Sequence, residues 1–178
     1  MTDDQLQKSS KQTDEKQTDQ LLQIIVFVLN KEEYAVPIDE IREVIKIPKI
    51  TPVPNSAEFI LGVINLRGKI VPIINIEKRF GLVRNTEGII PEHVIVTQDK
   101  KGTLFGVQVD QVTEVLKVSQ DMVQPTPTLV TSKISTEYLG GVIVLSEERV
   151  LLLLNLQKIL TEQIQEALNN VVLTEGGV

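Results

Sequence analysis

The residue types that do covalent or proton-transfer chemistry are scarce in this chain. It contains one histidine, His93, and no cysteine. His93 runs directly into Val94, Ile95 and Val96 and reads as a residue entering a strand, with no second imidazole or thiol to pair with it. Asp39, Glu40 and Glu43 form an acidic cluster in which two carboxylates could divide acid and base roles. A hydrolase of that kind would need an acidic cleft with raised carboxylate pKa values. However, Asp39 and Glu43 recur as Asp110 and Glu114 in a second, matching stretch. A feature present twice reads as framework, and an aspartate at a strand corner commonly caps backbone groups. No phosphate-binding glycine loop and no calcium-loop spacing occurs, so no catalytic centre, metal or cofactor is expected.

The matching stretch belongs to a duplication. Tyr34–Ile47 (YAVPIDEIREVIKI) aligns with Phe105–Val118 (FGVQVDQVTEVLKV), with Val36/Val107, Asp39/Asp110, Glu43/Glu114, Val44/Val115 and Lys46/Lys117 identical. Ser56–Ile64 (SAEFILGVI) aligns in the same order with Ser135–Ile143 (STEYLGGVI). Copy one runs from about Gln23 to Phe80 and copy two from about His93 to Leu160, with Gly81–Pro91 as the link. Two copies predict two similar lobes, about 22–82 and 92–162, packed together inside one domain, 21–162.

Each copy predicts strand, turn, strand, strand, loop, strand, turn, strand. Ile24–Leu29 and Tyr34–Ile38 flank a turn at Asn30–Glu32. Ile41–Ile47 fits both a helical stripe and a strand; its β-branched content favours the strand, which Pro48 ends. Pro48–Pro54 is an extended connection, Ala57–Leu61 a short helical turn, and Gly62–Leu66 with Ile70–Ile76 a hairpin around Arg67-Gly68-Lys69. In copy two the turns fall at Asp99–Gly102 and Ser146–Glu148. Short strands with tight turns predict a mostly β protein of small, nearly closed barrels. Leu156–Asn169 has helical apolar spacing and predicts an amphipathic C-terminal helix running into a tail, 163–178.

The bulk numbers narrow the partners. Net charge is −6 with no basic stretch, which disfavours nucleic acid. No apolar run reaches the roughly 18 residues of a membrane helix, so no direct membrane insertion is expected. Residues 1–20 are polar and lack the apolar centre of a signal peptide, and read as a disordered tail. A soluble, cytoplasmic protein with protein partners is expected.

Differences between the copies are informative, because the fold is satisfied by either sequence. The copy-one turn Asn65-Leu66-Arg67-Gly68-Lys69 faces Leu145-Ser146-Glu147-Glu148-Arg149 in copy two, and Arg67 has no counterpart in this alignment. Its planar, forked guanidinium suits an exposed binding role.

The block Phe59–Ile76, FILGVINLRGKIVPIINI, resembles the signature of the CheW family, the coupling proteins of bacterial chemosensory arrays. Glu33-Tyr34-Ala35-Val36 and Ser135–Leu139 are similar to two further family segments, and the resemblance spans about Leu22 to Leu160. It implies two five-stranded SH3-like barrels and an adaptor role. The partners it implies are the cytoplasmic tip of chemoreceptors and the regulatory domain of the histidine kinase CheA, at receptor arrays. It carries receptor contact to Ile41, Val44, Arg67, Val112 and Val115, and kinase contact to Glu43, Gly62 and Asn65. A coupling protein of a pilus-motility or other chemosensory pathway is the alternative. Asn75 departs from the family pattern, which commonly has Asp there.

Overall fold

The computed structural model describes residues 20–84, 87–128, 134–159, 165–167 and 169–170. Copy one begins with β1 (Leu21–Leu29) and β2 (Glu32–Pro37). Between them Asn30 and Lys31 both take left-handed backbone, φ 53° and 69°, the geometry of a two-residue hairpin turn matched to strand twist. A 3-10 turn at Ile38–Glu40 leads into β3 (Ile41–Lys46). A second hairpin, β4 (Ile60–Leu66) and β5 (Lys69–Asn75), is followed by helix α1 (Ile76–Phe80). Copy two repeats the plan with β6 (His93–Gln98), β7 (Leu104–Val109), β8 (Gln111–Ser119) and the two-residue β9 (Val123–Gln124). It closes with β10 (Leu139–Val144), β11 (Val150–Leu154) and helix α2 (Leu156–Ile159).

The expected β architecture is present, and Ile41–Lys46 is a strand. The turn expected over Ala57–Leu61 is a single one, with the Ile60 N–H donating to the Ala57 carbonyl (2.9 Å), and β4 begins at Ile60. Ile60 is buried, and drawing it into the core starts the strand early. The corresponding Thr136–Tyr138 in copy two makes a 3-10 turn. The predicted C-terminal helix is seen as α2 and again at 165–167 and 169–170; residues 160–164 and 168, like the 1–19 tail, lie outside the described residues.

The strands form two sheets, ordered β8-β1-β2-β11-β10-β9 and β3-β6-β7-β5-β4. Exchanging each strand for its counterpart in the other copy turns one order into the other, with β9 as an added edge. Thr51, bridged to Val63, stands in for β9 in copy one. The lobes are therefore not the contiguous stretches 22–82 and 92–162. Each lobe takes its first hairpin from the other copy, joined through the parallel pairs β2·β11 and β5·β7.

This exchange has a sequence cause. Along β1, Ile24 and Val26 belong to the interior of their own lobe, while Ile25, Phe27 and Leu29 belong to a larger cluster between the lobes. Along β6, Val94 and Val96 point into the other lobe and Ile95 into the same shared cluster. Strands buried on both faces need continuous apolar runs rather than alternation. The runs Ile24–Leu29 and Val94–Val96 supply them. Phe27 stacks on Tyr34 in the shared cluster with ring centroids 5.8 Å apart.

Candidate functional site

The β4–β5 hairpin end gathers most of the singled-out polar residues. Arg67 and Gly68 form its two-residue turn with φ of 50° and 83°. Left-handed backbone costs a residue with a Cβ about 1–2 kcal/mol, so Arg67 is held there by its surroundings. Asn65 accepts the Gly68 N–H through its side-chain oxygen at 2.9 Å, fastening the turn. Arg67 then reaches β3 and donates to both carboxylate oxygens of Glu43, each at 3.0 Å. β3 and β4 are the two outer strands of their sheet, so this bidentate pair spans the seam of the lobe.

Gly62 belongs to the same end. It sits at a register shift in β4 with φ 149°, and a Cβ there would lie 2.3 Å from the Thr51 carbonyl oxygen. Without a side chain at 62, Thr51 exchanges two 2.9 Å backbone hydrogen bonds with Val63. An open depression of about 220 Å³ lies beside it, lined by Thr51, Val63, Ile64, Asn65 and Ile70.

The apolar positions lie on the other side of the outer strands. Glu43 pairs across the sheet with Val96, an interior residue of its lobe, whereas Val44 pairs with Ile95 of the shared cluster. Directly paired residues share a face, so Glu43 and Val44 point oppositely. Ile41, Val44 and Val112 are half-buried against the shared cluster. Val115, the duplicate of Val44, pairs with Ile25 but is 52% exposed. The structure thus groups Arg67 with Glu43, Gly62 and Asn65, apart from Ile41, Val44, Val112 and Val115.

The expectation that Arg67 has no counterpart in copy two needs correction. Arg149, at the end of the longer Ser146–Glu148 turn, donates to Glu114, the duplicate of Glu43. It also makes two bonds to Glu33 at 3.0 and 2.8 Å. The hydrogen bonds to Glu33 and then Glu114 raise the Arg149 pKa. Both lobes therefore close with an arginine–glutamate pair. The extra turn residue displaces the cation along the sequence, which hid the match; the signal was the carboxylate, identical in both copies. Gly141 likewise repeats Gly62, with φ 140° and its Cβ position 2.8 Å from the Gln124 carbonyl oxygen.

Asp39 is exposed on the 3-10 turn, and Glu43 is occupied by Arg67. Asp110 is buried, in keeping with a framework role. His93 accepts the Val112 N–H at Nδ1, at 3.3 Å. Among the described residues no group of histidine and acidic side chains could hold a metal, and no helix is long and apolar enough to cross a membrane. Asn75 caps α1 by accepting the Lys78 N–H at 2.9 Å, and Asn155 caps α2 in the same way at 3.1 Å. The local turn is intact with asparagine, since either Asn or Asp serves as a cap.

Glu40 joins the copies, accepting the Leu156 N–H at 3.2 Å, while its carbonyl oxygen accepts from the Thr97 hydroxyl. Burial raises its carboxyl pKa, opposed by the Leu156 N–H and reinforced by Asp39. A raised folded value means the folded state binds the proton more tightly, so stability falls as pH rises from the unfolded carboxyl range through the folded value. Glu40→Gln keeps the acceptor and is expected to raise the melting temperature at pH 7 by roughly 1–3 °C. The gain should vanish below about pH 4. Thermal melts at both pH values check this, and a loss of stability at pH 7 would contradict it.

A family model for the CheW-like domain matches residues 23–163. The chemotaxis protein CheW of Klebsiella aerogenes is 31% identical over 151 residues, covering 84% of this chain and 87% of the relative. The chemotaxis protein CheW of Treponema pallidum is 33% identical over 127 residues, covering 70% and 74%. The crystal structure of the scaffolding protein TtCheW from Thermoanaerobacter tengcongensis aligns with a TM-score of 0.70 at 31% identity, covering 80% of this chain and 90% of that one. With the mostly β, two-sheet architecture shared and the match running through both copies, this chain belongs to the CheW-like domain family.

Proposed function

We propose that this chain is a non-catalytic adaptor of a chemotaxis array, linking the cytoplasmic tip of chemoreceptors to the regulatory domain of the histidine kinase CheA. The observation that carries this reading is the separation of two features. One is the Arg67–Glu43 hairpin end beside the depression at Asn65; the other is the apolar rim at Ile41, Val44, Val112 and Val115. An adaptor needs two faces held at fixed geometry, so that bias in one partner reaches the other. In this reading the rim meets the receptor, Glu43, Gly62 and Asn65 meet the kinase, and Arg67 extends toward the receptor. The protein then works on the cytoplasmic side, at receptor arrays. The relatives are named for chemotaxis, which favours that pathway over pilus motility.

The pair is open to solvent, with side-chain exposures of 77% for Arg67 and 24% for Glu43, and such pairs contribute at most about 1 kcal/mol. Arg67→Glu and Glu43→Arg should therefore stay folded while each lowers kinase control in a reconstituted receptor–CheA assembly by about tenfold. The double exchange should recover thermal stability without recovering kinase control, because a partner would meet the exposed Arg67 guanidinium directly. Undiminished assembly and kinase control by folded Arg67→Glu would sink the assignment.

A further inference from the structure

With Arg149 matching Arg67, Arg84 stands apart because it lies in the link, outside both copies. Its guanidinium donates to Glu77 at 2.7 Å, to Asp110 at 2.7 Å and to the Ile89 carbonyl at 3.0 Å. The Glu77 and Asp110 side chains are 6% and 3% exposed. Burial alone would lower the Arg84 pKa; the bonds to Asp110 and Glu77 outweigh it and leave it raised.

These contacts tie the two sheets together. Glu77 lies on α1, which follows β5 of one sheet. Asp110 sits at the corner between β7 of that sheet and β8 of the other. Its second carboxylate oxygen accepts the Asn30 N–H of the β1–β2 turn at 2.8 Å, and its own N–H donates to the Val28 carbonyl at 3.0 Å. The opposite end of the lobe interface is built differently. The matched caps Asn75 and Asn155 set Gln157 in the place of Glu77, and Asp39 stands in the place of Asp110. There the Gln157 amide donates to the Gln98 carbonyl at 2.8 Å, and Asp39 is exposed. One end of a pseudo-symmetric interface thus carries a buried ionic clamp, and the other the Gln157 amide bond beside the Glu40 carboxylate.

We propose that Arg84 is a positioning residue for coupling: by clamping Glu77 and Asp110 it fixes the angle between the lobes, and hence between the partner faces they carry. The inference rests on the adaptor reading for its functional half and on geometry alone for its structural half. Arg84→Ala would leave two buried carboxylates uncompensated and could unfold the chain. The informative variant is the neutral triple, Arg84→Met with Glu77→Gln and Asp110→Asn, which keeps volume and hydrogen-bond acceptors.

The chain has no cysteine, so Lys101→Cys in the β6–β7 turn and Asp121→Cys after β8 give a clean spin-label pair, one on each sheet. The neutral triple is expected to broaden the label distance distribution. It should lower kinase control in the reconstituted receptor–CheA assembly by about tenfold, with affinity for CheA alone and for a receptor fragment alone changed by less than about threefold. An unchanged distribution overturns the clamp, and a broadened one with full kinase control overturns its role in coupling. If the unmodified chain exerts no kinase control, the adaptor reading fails instead, and the distance measurement still decides whether Arg84 sets the lobe angle.

Discussion

Gly62→Ala is expected to lower the melting temperature by about 10 °C, near 3 kcal/mol for a domain of this size. Two costs act together. The residue would hold φ 149°, where a side chain is rarely tolerated. Its Cβ would also lie 2.3 Å from the Thr51 carbonyl oxygen and 2.7 Å from the Thr51 carbonyl carbon. Backbone cannot rotate aside as a flexible side chain can, so Thr51 must leave Val63. Gly141→Ala should be milder, since its nearest atom is at 2.8 Å. Calorimetry of both variants is the check; a Gly62→Ala protein melting within a degree of the parent would show that β4 can shift freely. The same variant separates structure from docking. If it binds CheA normally at a temperature where it is fully folded, Gly62 supports the hairpin without touching the kinase.

Phe27→Ala should cost about 3–5 kcal/mol. Phe27 is fully buried in the cluster shared by both lobes and stacks on Tyr34. Alanine would leave a cavity walled by residues from both sheets, which cannot collapse without moving one lobe against the other. Unfolding in denaturant should remain a single transition with a lower midpoint, because the damaged cluster belongs to neither lobe alone. Two resolved transitions, or a loss below about 1 kcal/mol, would show that the lobes fold independently of this contact.

Much of this was legible in the residues. The repeat gave the strand order within each copy, and the β-branched content of Ile41–Ile47 identified β3 against a competing helical stripe. The hairpin exchange was not legible, because strand pairing between distant segments leaves no local pattern. Only the two-faced apolar runs of β1 and β6 hinted that those strands are enclosed on both sides. For the site, identity between the copies proved a better guide than difference. Glu43 and Glu114 each required a cation, but the cations come from unaligned turn positions and are seen only when the chain is folded. Nothing in the link Gly81–Pro91 marks Arg84 as a residue that turns back onto buried carboxylates.

The exchanged hairpins also bear on ancestry. Two copies that each complete the other are what results when a domain-swapped homodimer is fused head to tail through one connecting segment. On that view the linker is the youngest part of the fold. It also carries Arg84, so the covalent join that would have ended the symmetry of the dimer holds a cation that bonds at one of its two ends. A break in that segment would free neither lobe, since each fragment would carry strands of both.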